Sequence, residues 1–137
     1  MNHWHLDTLV VRFTIDCNPL PKERPRVTSR VNKWTGESKT FAYTPKRTKQ
    51  YEAYVALLAR QAMGDREPEK GLLCVSLVFY RARRNADIDN CTKSVMDAIQ
   101  GVVFNNDNQV VDLHAQWFRD KENPRALVEV WRVRATE

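Results

Sequence analysis

Leu72–Tyr80 is apolar on both of its faces, with Ser76 as the one polar interruption. A strand that shows one side to water alternates polar and apolar residues, so a run without alternation belongs in the interior of a sheet. It is the longest apolar run in the chain and far too short to cross a membrane. The rest of the fold must be built around it. A basic loop, Arg81–Ala86, leads from it to an acidic, helix-like stretch, and strands follow near Gln109–Phe118 and Ala126–Val133, separated by the charged turn Arg119–Arg125.

Upstream, Leu9, Val11, Phe13 and Ile15 alternate with Val10, Arg12, Thr14 and Asp16, the mark of a half-buried strand, which Pro19 and Pro21 then end. Two short strands or a ribbon are expected around Arg26–Arg30 and Thr40–Tyr43, joined by the turn-prone Trp34-Thr35-Gly36. Thr44 as N-cap with Pro45 at the first helical position predicts a helix to about Met63, with Tyr51, Tyr54, Val55, Leu58 and Ala62 facing the core. Residues 64–71 read as a polar loop. At 137 residues and 42% hydrophobic, the chain is long enough for one real core. The expectation is an α+β fold, a single domain over 1–137 with a mixed β-sheet and two main helices.

The N-terminus lacks a signal-peptide pattern. Cys17, Cys74 and Cys91 are odd in number, widely spaced and without a CxxC, which argues for reduced thiols and against a zinc or disulfide framework. Both features predict a cytoplasmic protein with no membrane partner. His3 and His5 read as part of an N-terminal tail, and His114, alternating within a strand, as a satisfied structural histidine.

Chemistry concentrates in Asp87-Ile88-Asp89-Asn90-Cys91-Thr92-Lys93, followed by Asp97 and Asp107. Aspartates two apart at a loop-to-helix junction can point into one space, and such an oxygen-lined pocket suits Mg²⁺, with Mn²⁺ as the alternative ion. Asp89 reads as the N-cap of a helix beginning at Asn90, with Lys93 and Asp97 at successive i+4 steps on its polar face. Val95, Met96, Ile99, Val102 and Val103 occupy the other side. An extended segment from Gly101 to Asp107 would run back about 20 Å, enough to bring Asp107 to the helix N-terminus. The plainer reading of Asp89, Lys93 and Asp97 is an ion-pair ladder on a solvated helix face.

The net charge of +5 is unevenly spread. Residues 22–49 carry nine Lys or Arg against Glu23 and Glu37, and the segments on either side are each slightly acidic. A basic strip beside an acidic, metal-suited site points to a polyanion held by Lys22, Arg24, Arg26, Lys46 and Arg47, with nucleic acid the obvious candidate. Trp34, Phe41 and Tyr43 interleave with the charges and offer faces for stacking on exposed bases. A solvated basic loop is the bland alternative.

With these residues in place, the chain resembles the RusA family of Holliday-junction resolvases, DNA endonucleases common in prophages. The resemblance rests on Pro21-Lys22-Glu23-Arg24-Pro25-Arg26, on Tyr43-Thr44-Pro45-Lys46-Arg47-Thr48 with Tyr51-Glu52, on Asp87-Ile88-Asp89-Asn90 with Lys93 and Asp97, and on Asn106-Asp107-Asn108-Gln109-Val110. It implies that Asp87, Asp89 and Asp107 are catalytic metal-binding aspartates and Lys93 an essential lysine. Asn90 and Asp97 flank this set, Asp97 as the partner that orients Lys93. It further implies a magnesium-dependent homodimer, bacterial or phage-encoded, acting on four-way DNA junctions by paired symmetric nicks in recombination and repair. Family members often carry two adjacent aspartates where this chain has Asn106-Asp107. Readings from other classes are a structure-specific DNA-binding protein without catalysis and a small-molecule phosphatase using the Asp-x-Asp pair.

Overall fold

The computed structural model describes residues 3–84 and 86–136. Strand β1 (His3–Ile15) is followed by β2 (Arg26–Val31), β3 (Ser38–Tyr43), helix α1 (Lys46–Met63), β4 (Leu73–Arg81), α2 (Ile88–Ile99), a 3-10 turn (Asp107–Gln109), β5 (Val110–Arg119) and β6 (Arg125–Thr136). Four strands form one sheet in the order β1-β6-β4-β5, and β2 and β3 form a separate two-stranded ribbon. The sheet is mixed because β4 pairs antiparallel with β6 and parallel with β5. The continuous apolar run is thus an inner strand, as its pattern predicts, and β4–α2–β5 is a crossover unit in which the helix returns the chain to the start of the next parallel strand.

The core lies between one face of the sheet and the two helices. Leu73, Val75, Leu77 and Phe79 of β4 and Val128 and Val130 of β6 are fully buried with Val55 and Ala59 of α1 and Val95 and Ile99 of α2. Burying each larger side chain contributes about 1.5–3 kcal/mol. The opposite face of β4 carries Ser76, Val78 and Tyr80, half-buried, and the buried Cys74. Among the described residues no helix is long and apolar enough to cross a membrane.

Several boundaries differ from the sequence expectation. Strand β1 starts at His3, which pairs with Thr136, while His5 pairs with Arg134, so the two histidines belong to the sheet rather than to a tail. The backbone of α1 begins one residue later than expected. Pro45, with ψ 142°, is its N-cap, because the Pro45 carbonyl accepts the first helical bond from the Lys49 N–H. The buried stripe of α1 is Thr48, Tyr51, Val55, Ala59 and Met63, whereas Tyr54 is exposed and Leu58 and Ala62 are half-buried. Helix α2 stops at Ile99, and Gly101, at φ +87°, turns the chain back on itself. The Gly101 N–H donates to the Phe104 carbonyl, and those of Val102 and Val103 donate to the Ile99 carbonyl. The segment after the helix is therefore a tight knot, not the extended return that would carry Asp107 along α2.

Candidate active site and nucleic-acid interface

The loop after β4 is held from below before it reaches the acidic residues. The buried Arg81, at the end of β4, donates from Nε to the Pro19 carbonyl at 3.0 Å, and the Ala82 N–H donates to Asn18 Oδ1 at 3.1 Å. The Lys22 N–H donates to the Asn90 carbonyl in the first turn of α2 at 2.8 Å. These three bonds fix residues 18–22 along the end of the sheet and join the root of the basic segment to the N-terminus of α2.

Asp87, not Asp89, is the N-cap of α2. Its Oδ1 accepts from the Asp89 N–H at 2.9 Å, its carbonyl accepts from the Cys91 N–H, and Oδ2 lies 3.5 Å from Asn90 Nδ2. The cap forms here because Ile88 is the first helical residue, which places the Asp89 N–H where a capping carboxylate can reach it. Both aspartates are exposed, and Asp89 and Lys93, one turn further on, have no side-chain hydrogen bond or ion pair among the described residues. The Asp87–Asp89 pair is therefore free to accept a hard cation or face a phosphate. An α-helix N-terminus also favours anions.

Asp107 stands at the other end of the same unit. It opens the 3-10 turn just before Val110, which pairs with Leu73 at the start of β4, whereas Asp87 follows the end of β4. The length of α2, about 18 Å for its turns, separates the two. The expectation that Asp107 of this chain joins Asp87 and Asp89 is not met within one subunit. The physical reason is the knot at Gly101, which spends residues 100–104 on local hydrogen bonds.

The knot and the Asp107 turn have a keystone that the sequence reading overlooked. Gln109 is buried, and its Oε1 accepts from the N–H groups of Asn105 and Asn106 at 2.9 and 3.0 Å. Its Nε2 donates to the carbonyls of Glu69 and Gly71 at 2.8 and 2.9 Å. Asn106 Oδ1 accepts from the Asn108 N–H at 3.0 Å, completing a capping box. The Asn106-to-Gln109 spacing is the signal that could have found it. Asn106 thus lends its oxygen to the turn, and Asp107 is exposed, with no side-chain partner among the described residues.

The basic residues divide into pinned and open. Lys22 is paired with Glu52 and lies 3.3 Å from Asp97, so Asp97 meets Lys22 rather than Lys93. Burial alone would lower the Lys22 pKa, but the two carboxylates outweigh it and hold it above its ordinary value. Arg26 and Arg47 each lie beside Glu23, at 3.5 and 3.2 Å, and remain largely exposed. Together with Lys46 and Tyr43 they line a depression of about 560 Å³ between the foot of the ribbon and the start of α1. Helix α1 has no acidic residue in its first turn and no side-chain cap, so its first N–H groups have no side-chain acceptor. Arg24 is exposed. Every residue of β2 and β3 is exposed as well, with Phe41 and Tyr43 on the ribbon and Trp34 at its tip, 95% exposed.

All three cysteines are free thiols. Burial pushes Cys17, Cys74 and Cys91 upward, Cys74 to about 11, so they stay protonated at neutral pH. His114 is exposed and pairs with Asp112 at 3.0 Å.

The profile of the family described as Endodeoxyribonuclease RusA matches residues 16–131. The Uncharacterized protein YqaN of Bacillus subtilis (strain 168) is 28% identical over 153 aligned positions, which cover 91% of this chain and 98% of that relative. This chain belongs to the RusA family and is an endodeoxyribonuclease.

Proposed function

We propose that this nuclease resolves four-way DNA junctions by Mg²⁺-dependent hydrolysis, acting as a two-fold homodimer that makes paired, symmetric nicks. The observation that carries the reading is the bond from Lys22 to Asn90, which fastens the root of the basic, aromatic-tipped ribbon to the helix turn bearing Asp87 and Asp89. A backbone gripped by Arg24, Arg26, Lys46 and Arg47 is thereby delivered beside two exposed carboxylates and one unpaired lysine.

The donor set suits a hard cation, since Asp87 and Asp89 offer only oxygen. Two carboxylates are few for Mg²⁺, and Asp107 of the same chain lies a helix length away. A second copy related by a two-fold axis supplies what one chain lacks, with Asp107 of the partner subunit completing the set at each Asp87–Asp89 pair. Dimerisation then becomes a condition for cutting, and each junction strand meets one complete site. When bound, Mg²⁺ supplies charge neutralisation at the scissile phosphate and a hydroxide source at neutral pH.

The remaining steps belong to the chain's own residues. Asp87 keeps Oδ1 committed to the helix cap, so its carboxylate is oriented before substrate arrives. Lys93 Nζ places positive charge where the oxygens around the pentacoordinate phosphorus gather negative charge. The basic depression at the start of α1 holds a neighbouring phosphate in the ground state, contributing affinity rather than rate.

The test is a gel assay of four-way junction against linear duplex, with and without Mg²⁺, across protein concentration. Junction-selective, Mg²⁺-dependent cutting that rises with the dimer fraction is expected. Equal cutting of linear duplex, or junction binding without any metal-dependent cleavage, would overturn the reading.

A further inference from the structure

On the face of the sheet away from the helices, three unlike donor groups converge. Cys74 of β4 is level with Asp112 of β5, and Ser76 is level with His114, so Cys74, Asp112 and His114 project from one face of neighbouring parallel strands. One donor atom from each lies within 4.8 Å of the other two. Asp112 sits between its partners, with Oδ1 at 3.0 Å from His114 Nε2 and the Cys74 thiol hydrogen-bonded to the same carboxylate. Cys74 is 2% exposed and His114 64% exposed on its side chain, so the cluster has a buried floor and an open mouth. It opens into a pocket of about 410 Å³ also lined by Trp4, Glu129 and Trp131.

We propose that Cys74, Asp112 and His114 form a binding site for Zn²⁺, separate from the carboxylates that serve catalysis. The donor chemistry decides the metal class. Sulfur and imidazole nitrogen are poor ligands for Mg²⁺ but match a borderline cation, and one sulfur, one nitrogen and one oxygen fill three corners of a tetrahedron. Zinc bonds of about 2.0–2.3 Å place ligand atoms roughly 3.5 Å apart, which the exposed His114 reaches by a small rotation toward Cys74. The fourth corner faces the pocket, where water or Glu129 completes the shell, although Arg12 already holds Glu129 at 2.8 Å. A nucleophilic cysteine is a poorer account of the cluster. Burial and the neighbouring Asp112 carboxylate both disfavour the thiolate that a nucleophile requires. Bound zinc would clasp edge strand β5 to β4 three residues beyond the Asp107 turn, tying that aspartate's position to the sheet.

Co²⁺ is the probe, because its thiolate complexes absorb where unligated protein does not. Tag-free full-length protein, stripped with a chelator and kept reduced, is titrated with Co²⁺. A thiolate-to-cobalt charge-transfer band saturating at one equivalent is expected, displaced by Zn²⁺ and untouched by excess Mg²⁺. The band should persist in Cys17→Ser, in a His3→Ala/His5→Ala pair and in Asp89→Asn, and vanish in Cys74→Ser. His114→Ala changes an exposed side chain and should keep its fold while binding Co²⁺ more than about tenfold more weakly. No band in the wild type, a band that survives Cys74→Ser, or unchanged affinity in His114→Ala would each overturn the site, and none of these results bears on junction cleavage.

Discussion

The crossover unit β4–α2–β5 and the ribbon β2–β3 solve opposite problems. In the crossover unit the exposed carboxylates stand on hydrogen-bonded turns: Asp87 and Asp89 in the capped first turn of α2, after the buried Arg81, and Asp107 in the turn held by the buried Gln109. The ribbon has no such support, since all twelve of its strand residues are exposed and its aromatic side chains meet solvent. Chemistry at a scissile bond needs groups fixed to a fraction of an ångström, whereas gripping a bent polyanion needs reach and adaptability. The difference teaches that in this molecule rate should depend on the crossover unit and affinity on the ribbon, with little exchange between them.

The sharpest way to break that division is Asp89→Asn. Single-turnover cleavage at saturating Mg²⁺ should fall by about 10³-fold, while junction affinity in gel shift stays level or tightens as one acidic repulsion disappears. Near wild-type cutting would detach the rate from this helix turn. Lys93→Ala comes next, with a rate loss of about 10²-fold and little change in binding. A binding defect with a normal single-turnover rate would move Lys93 to the affinity side.

Gln109→Ala probes the support itself. Four backbone groups lose their partners, and denaturant unfolding should show a loss of about 2 kcal/mol, accompanied by slower cutting as Asp107 loses its fixed turn. Intact stability would mean that water replaces the amide and that the turn needs no keystone. On the ribbon side, Arg24→Ala and Arg26→Ala should each weaken junction binding and reduce the slope of log K against log salt by about one, leaving the rate at saturation unchanged. Lys22→Ala should differ from both, costing stability through Glu52 and Asp97 more than affinity.

The smallest effect is expected where neither function is involved. Arg132 Nη2 lies 2.6 Å from Glu69 Oε1, and that hydrogen bond holds the Glu69 carboxyl below its ordinary 4.5. A depressed carboxyl stabilises the fold at pH above 4.5 and loses its contribution as pH falls through and below that value. Half of the Arg132 side chain is exposed, so solvent screens the pair. Glu69→Gln should therefore cost no more than about 1 kcal/mol at pH 7, and the two melting curves should converge in acid, once the pH has fallen below the depressed carboxyl. A gap that persists in acid would assign the effect to packing.

Much of this architecture is legible in the sequence because local pattern and tertiary outcome coincide. The apolar run is an inner strand, the turn at Trp34-Thr35-Gly36 closes a ribbon, and the basic surplus is shared between that ribbon, its root and the first turn of α1. Failures occur where one residue's choice propagates. Gly101 can be read as either the end of a helix or a bend in an extended segment, and its left-handed turn sends Asp107 to the far end of α2. The Asp97 carboxylate lies at helical spacing from Lys93, yet it is met from outside the helix by Lys22, which spacing within α2 cannot reveal. Cys74, Asp112 and His114 are scattered along the chain, and only the parallel register of β4 and β5 brings them level.

Strand β6 is the last described strand to leave the ribosome, yet it lies between β1 and β4. Its pairing with β1 joins His3 to Thr136 across almost the whole chain. During synthesis β1 therefore emerges with no neighbour, and neither β1 nor β4 can complete its hydrogen bonding until β6 is available. Assembly of the sheet is a late, high-contact-order event. A nascent chain arrested before Arg125 would carry the basic ribbon without a finished sheet behind it, so capacity to cut waits on the synthesis of β6.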